Sequence, residues 1–313
     1  MDLVFCGTPE FAVPTLRKLV EGGFDVRLVV TQPDRPSGRG QELTAPPVKQ
    51  LAQSLGIPIV QPDKIKINEE FRARLQSVKP TAIVVVGYGR IIPKWMMDLP
   101  PLGNINLHAS LLPKYRGAAP IQWAFARGET VTGVTTMRID EGLDTGDILL
   151  QKEVSIAPED TAVTLAPRLA ESGAELMVET LRGLAAGSIA PRPQDHSRAS
   201  LAPILKKEDG RVDFTLAAPE IVNRWRGFRP WPGAFTKFRG KNLSFHVLRA
   251  LDRKVAQLAP GEIAVEDEHM LVGCGSGRLE VLELQPEGKR RMSARDFIHG
   301  YRPHTGEKFD PSG

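Results

Sequence analysis

The chain has 313 residues, 41% of them hydrophobic and 25% charged, an ordinary balance for a soluble globular protein with room for about two domains. No apolar run reaches the about 18 residues a transmembrane helix needs, and neither of the two cysteines, Cys6 and Cys274, has a second cysteine or a histidine at metal-ligand spacing, which argues against a zinc site and for reduced, buried thiols. The net charge of +4 is mild and arises wholly from Lys206 onward, where 19 Lys and Arg stand against 15 Asp and Glu; such a bias permits contact with a phosphate backbone without demanding it.

The chain opens on a strand-like run, Leu3-Val4-Phe5-Cys6, without a basic region or cleavage site, so a cytoplasmic location is expected. Apolar strand candidates follow at Leu3–Cys6, Val26–Val30, Ile57–Val60, Thr81–Val86, Ile105–Ala109, Thr132–Ile139 and Ile148–Val154. Helical patterns at Pro9–Glu21 and Pro46–Leu55 lie between them, with Pro9 in a first turn and Gly22-Gly23 as a stop. This alternation predicts an α/β domain, a Rossmann-like, mostly parallel sheet with helices on both faces. Thr161–Leu184 is the longest helical stretch, with leucines 165, 169, 176, 181 and 184 near helical spacing and Gly187 at its end. The polar, proline-bearing run Ala190-Pro-Arg-Pro-Gln-Asp-His-Ser then looks like a linker, giving expected limits of 1–187 for the first domain, 188–205 for the linker and 206–313 for the second. After a short helix at Glu220–Phe228, five short strands (Ala234–Phe238, Leu243–Arg249, Glu262–Val265, Met270–Cys274, Leu279–Leu284) are punctuated by glycines. They predict a small OB-like β-barrel. Ser293-Ala-Arg-Asp296 resembles a capping box for a last helix.

The segment richest in chemistry is Asn104-Ile-Asn-Leu-His-Ala-Ser-Leu-Leu-Pro113. Strand alternation puts Asn106, His108 and Ser110 on one face and Ile105, Leu107 and Ala109 on the other. A strand covered on both faces is normally apolar throughout, so an amide, an imidazole and a hydroxyl in a row need a reason, and open α/β sheets bind ligands at strand carboxyl ends. A lone histidine is more often a satisfied core residue. Here a second dense segment follows, Arg138-Ile-Asp-Glu-Gly-Leu-Asp-Thr-Gly-Asp147, whose glycines mark turns and whose three aspartates are expected to converge on the imidazole. A carboxylate beside an imidazole favours its charged form and fixes its tautomer. Such a set has no obvious nucleophile, which suits a reaction whose nucleophile arrives with the substrate, as when an amine attacks an acyl carbon.

The run Asn106-Leu-His108-Ala-Ser-Leu-Leu-Pro-Lys-Tyr-Arg-Gly-Ala-Ala-Pro-Ile-Gln-Trp, followed by Gly142-Leu-Asp-Thr-Gly-Asp147, closely resembles the folate-dependent formyltransferases. Phe5-Cys-Gly-Thr-Pro-Glu-Phe-Ala, Thr31-Gln-Pro-Asp-Arg-Pro-Ser-Gly-Arg-Gly40 and Arg229-Pro-Trp-Pro232 extend the resemblance to nearly the whole chain, and to the tRNA-formylating branch in particular. The resemblance implies a transferase that moves the formyl group of 10-formyltetrahydrofolate to the α-amino group of methionyl initiator tRNA in translation initiation, with the folate as a co-substrate and no metal, tightly held cofactor or membrane involved. It implies that Asn106 donates to the formyl oxygen, that His108 stabilises the tetrahedral intermediate and moves the proton, and that Asp144 positions that histidine. It also implies a folate slot walled by Ser110, Leu111, Leu112, Pro113, Arg90, Ile91, Ile92 and Asp140; for the apolar members, plain core packing is the ordinary alternative. A monomer is expected.

The acceptor has to be read outside the shared core. The loop from Gln32 to Ala45 spans 14 residues, where about 2–6 are usual after such a strand. Its Arg35 and Arg39 are candidates for tRNA phosphates or unstacked bases. The branch carries further lysines after this loop; this chain has Gln41 and Glu42, which leaves Arg39 as the main contact. Lys207 stands in a Lys-Lys-Glu where the family has Ser-Lys-Glu, and a basic barrel face is expected from Arg224, Arg226, Arg229, Lys237, Arg239, Lys241 and Lys289-Arg290-Arg291. The alternatives sharing the catalytic set are a sugar-nucleotide N-formyltransferase and a formyltetrahydrofolate hydrolase, against which the Pro-Asp-Arg-Pro-Ser-Gly-Arg-Gly pattern argues. A dinucleotide oxidoreductase fares worse, since the first turn carries one glycine, Gly7, and no Gly-x-Gly-x-x-Gly.

Overall fold

The computed structural model of the chain describes residues 1–37, 42–251 and 258–310. It divides into two compact units, one of residues 1–120, 131–156 and 165–202, the other of residues 121–130, 157–164 and 203–313.

The first unit contains β1 (Asp2–Gly7), β2 (Asp25–Val30), a separate hairpin of β3 (Arg35–Ser37) and β4 (Glu42–Thr44), then β5 (Ile59–Val60), β6 (Ala82–Val86), β7 (Asn104–His108), β8 (Val131–Arg138) and β9 (Ile148–Ser155). Seven of these make one sheet in the order β5-β2-β1-β6-β7-β8-β9. The pairs through β6–β7 are parallel, and β7–β8 and β8–β9 are antiparallel. The central strands are buried without alternation, as β6 shows from Ala82 to Val86, which is what helices on both faces require. This is the expected mostly parallel, Rossmann-like sheet.

The reversal at β8 matters for the site. In register, Ile105 faces Arg138 and His108 faces Thr135, so the segment after Arg138 starts beside the beginning of β7, not its carboxyl end. The Ile139 N–H donates to the Asn104 carbonyl at 2.8 Å, and the chain then has to double back along β7 to reach His108.

Helices form at Val13–Glu21, Pro47–Ser54 and Ala162–Ala185, close to the expected positions. The helices Glu69–Val78 and Pro120–Ala126 were not expected. The first buries only Phe71 and Leu75, and its start is set by the Asn68 side chain accepting from the Phe71 N–H at 2.9 Å, a capping signal without an apolar stripe to announce it. The helix Ala162–Ala185 carries Gly173, where an added Cβ would stand 2.6 Å from Leu107 Cδ2. Leu107 thereby packs against the helix, on the strand face opposite Asn106 and His108.

The second unit holds β10 (Ala234–Phe238), β11 (Lys241–Leu251), β12 (Ile263–Glu266), β13 (His269–Gly273), β14 (Arg278–Pro286) and β15 (Met292–Ser293). All pair antiparallel, in the order β10-β11-β14-β13-β12 with β15 on β14. Its core gathers Phe214, Phe238, Phe245, Phe297 and Phe309, with Phe214 stacked on Phe309 at 5.2 Å between ring centres. The last helix, Ala294–Tyr301, is capped by Ser293 as expected.

Both thiols are buried, and burial pushes them up, Cys274 to about 12. A thiol reagent at pH 8 is expected to label neither cysteine in the folded protein and both in denaturant; rapid labelling of the native protein at one equivalent would contradict the packing. Gly173→Val is expected to cost about 1–3 kcal/mol of unfolding free energy in urea melts, because the branched side chain overpacks against Leu107.

Candidate active site

β7 ends at His108, which is 6% exposed. Its Nε2 lies 2.8 Å from the Tyr115 carbonyl. A carbonyl only accepts, so Nε2 is the donor and carries the proton. In the neutral ring Nδ1 is then bare, and it faces Asp144 Oδ2 at 3.7 Å. That is too long for a hydrogen bond, and it becomes an ion pair once the ring is protonated. Asn106, two positions earlier on the same strand face, is half-buried and makes no side-chain hydrogen bond among the described residues.

A short segment holds both the imidazole and the carboxylate. Tyr115 gives its carbonyl to His108, and two residues later the Gly117 N–H donates to Asp144 Oδ2 at 2.8 Å. The backbone here is held outside its ordinary range: Tyr115 has φ 63° and Asp144 φ 51°, each costing of order 1–3 kcal/mol. Gly117 has φ 118°, and a Cβ there would stand 2.7 Å from the Ala202 carbonyl oxygen, so only glycine fits. Behind Asp144 lies Gln194, 6% exposed. Its Nε2 donates to the carbonyls of Asp144 (2.9 Å) and Gly146 (2.7 Å), and its Oε1 accepts from Arg116 Nε (3.1 Å) and Nη2 (2.6 Å).

The remaining expected site residues divide. Asp140 is exposed, and its carboxylate ties down its own loop by accepting from the Gly142 N–H and the Thr145 hydroxyl. The Ser110 hydroxyl is fully buried and donates to the Lys114 carbonyl at 2.6 Å, so it serves the turn, not an open slot. Leu112 is likewise core, packed with Met137 and Ile148, while Leu111 and Pro113 are half-buried. The pair after Arg90 points two ways, with Ile91 90% exposed and Ile92 buried among Val85, Tyr88 and Met96. Two donors near that turn, the Tyr88 hydroxyl and Arg90 Nε, are buried without a partner among the described residues. Such a donor costs about 1–3 kcal/mol unless water or a ligand supplies an acceptor.

Arg35 is exposed on β3, donating to Gln32 Oε1 at 3.3 Å. Arg39, the main expected tRNA contact, lies outside the described residues. Lys207 is exposed at the start of a 3-10 turn. The expected basic face is partly corrected. Arg226 donates to the carbonyls of Asp160 and Ala157, Arg239 pairs with Glu307, and Arg291 pairs with Glu283. Arg224 and Arg229 lie over the rings of Phe228 and Trp225. Lys237, Lys241, Lys289 and Arg290 remain exposed.

Gln194 escapes a sequence reading, since it falls in the run that reads as a linker. That run is packed instead: Arg192 and Ile148 exchange both backbone hydrogen bonds at 2.8 Å, and Ala202 N–H donates to the Arg116 carbonyl at 2.7 Å. A glutamine among prolines and charged residues carries no signal of burial. Gly117→Ala is expected to lower the unfolding free energy by about 1–3 kcal/mol, measured by urea melts, since the new Cβ meets the backbone of Ala202.

Residues 1–181 match the formyl transferase family and residues 204–302 its C-terminal domain. The methionyl-tRNA formyltransferase of Koribacter versatilis is 66% identical over 309 residues, 98% of each chain. That of Acidobacterium capsulatum is 63% identical, over 96% of each. Among solved structures, an N-formyltransferase from Helicobacter canadensis, in complex with folinic acid and dTDP-3-aminofucose, shares the fold at a TM-score of 0.68 and 18% identity, over 91% of this chain and 98% of that one.

Proposed function

The chain belongs to the formyl transferase family, and from that premise we propose that it carries the formyl group of 10-formyltetrahydrofolate to the α-amino group of methionyl initiator tRNA. The observation that carries this reading is the meeting of His108 with Asp144 on the strand that bears Asn106, in a chain 66% identical to a methionyl-tRNA formyltransferase over nearly its full length.

The nucleophile comes with the substrate. An α-amine with a pKa of about 7.7–8.0 is partly neutral at cellular pH, so it attacks the formyl carbon directly. As the C–N bond forms, charge develops on the formyl oxygen, and the Asn106 amide donates to it. Because that amide has no partner to give up among the described residues, it is free to act when charge appears. The ammonium proton passes to the bare Nδ1 of His108, and Asp144 balances the imidazolium. The intermediate then collapses by expelling the tetrahydrofolate nitrogen, which takes the proton back. Asp140 fixes the turn that ends at Asp144.

The folate stands near the Arg90 turn, against the exposed Ile91, with the buried donors of Tyr88 and Arg90, unpartnered among the described residues, beneath it. The backbones and apolar atoms of Ser110, Leu111, Leu112 and Pro113 complete its support, with Ile92 behind the wall. Residues 1–187 perform the chemistry. Residues 206–313 contact the tRNA through Lys207 and the exposed lysines, and Arg35 and Arg39 add contacts from the long loop after β2. The protein works as a monomer in the cytoplasm, where charged initiator tRNA is found.

The test supplies formyltetrahydrofolate and either charged initiator or charged elongator tRNA. Formyl is expected on the initiator alone; its absence from both would overturn the reading and leave an amino sugar or water as acceptor. Asn106→Ala is expected to lower turnover about 10²–10³-fold with an unchanged thermal midpoint.

A further inference from the structure

We propose that Gln194 and Arg116 are positioning residues that hold Asp144 where its carboxylate can serve His108. The inference rests on the role given to Asp144 above and adds two residues to it.

The Gln194 amide has two N–H donors and an oxygen with two lone pairs. All four are used: on the carbonyls of Asp144 and Gly146 and by Nε and Nη2 of Arg116. With carbonyls on one side and a guanidinium on the other, the amide has one possible orientation. Arg116 is 7% exposed, yet its side-chain partners among the described residues are Gln194 and His196 Nδ1, at 3.2 Å, with no carboxylate. A buried cation left without an anion is an expensive way to fill space, so packing alone does not account for it.

Arg116 reaches Asp144 by two routes. Its side chain holds the Asp144 carbonyl through Gln194, and the peptide that follows it supplies the Gly117 N–H to the Asp144 carboxylate. Its own backbone is clamped, with its N–H donating to Ser200 and its carbonyl accepting from Ala202. Asp144 sits at φ 51°, a conformation a non-glycine residue keeps only when the surroundings over-determine it. Gripping the residue at both its carbonyl and its carboxylate does this.

Gln194→Glu separates this role from folding. The variant keeps the acceptor facing Arg116 and removes the two donors facing the carbonyls of Asp144 and Gly146. The expected result is a thermal midpoint no lower than wild type, KM for both substrates within about twofold, and kcat lower by about 100-fold, the scale of a misplaced catalytic group. In an Asp144→Asn background the same change is expected to cost less than about threefold, since coupled residues are not additive. Wild-type kcat in Gln194→Glu, or an equal loss in both backgrounds, would overturn the proposal. If Gln194→Glu does not fold, Gln194→Met carries the same two comparisons. Wild type and Asp144→Asn run beside them: failure of wild type to formylate methionyl-tRNA rejects the functional reading, whereas an active wild type with an unaffected Gln194→Glu rejects only the positioning role.

Discussion

The hydrogen bond from His108 Nε2 to the Tyr115 carbonyl, at 2.8 Å, is the contact on which the rest of the site depends. It assigns the neutral tautomer, bares Nδ1 and turns that nitrogen toward Asp144. Tyr115 adopts φ 63° to present its carbonyl, and the same turn, two residues on, presents the Gly117 N–H to the Asp144 carboxylate. One strained three-residue segment therefore fixes an imidazole and a carboxylate that come from different parts of the fold. At 3.7 Å the carboxylate stands opposite the bare nitrogen without bonding to it.

This arrangement explains the unusual composition of β7. A central strand covered on both faces is normally apolar throughout. Here Leu107 meets Gly173 of the long helix on one face, while the other gives up apolar packing to hold Asn106 and His108. The antiparallel β8 is part of the same solution, because a segment starting at the Asn104 end of β7 and doubling back delivers Asp144 along the strand instead of across its tip.

Much of this was legible in the amino-acid sequence. Strand–helix alternation located the sheet, and the polar alternation at Asn106 and His108 exposed a face that packing alone does not explain. The glycine-flanked aspartates pointed to a carboxylate partner, and the resemblance to folate-dependent formyltransferases picked Asp144. What escaped was whatever depends on hydrogen bonds between distant backbones. Gln194 sits in a proline-bearing run indistinguishable from a linker, and its burial is decided by carbonyls of Asp144 and Gly146 that no periodicity reveals. Ser110 shows a related limit: its residue type and place suit a ligand contact, but sequence does not reveal that the turn at Lys114 claims its hydroxyl, which leaves its backbone and apolar atoms for the slot. Several arginines expected to form a basic face are likewise spent on carbonyls and carboxylates of their own unit, which charge counting cannot foresee.

The most direct measurement is the nitrogen-15 NMR spectrum of the His108 imidazole, assigned by comparison with a His108→Gln variant and recorded at a pH where the ring is neutral. The account predicts the tautomer with Nε2 protonated and Nδ1 bare, and a scalar or relayed contact from that N–H toward Tyr115. A neutral ring protonated at Nδ1 would place the lone pair against a carbonyl and the N–H toward Asp144, and would contradict both the turn's role and the proton route drawn from it.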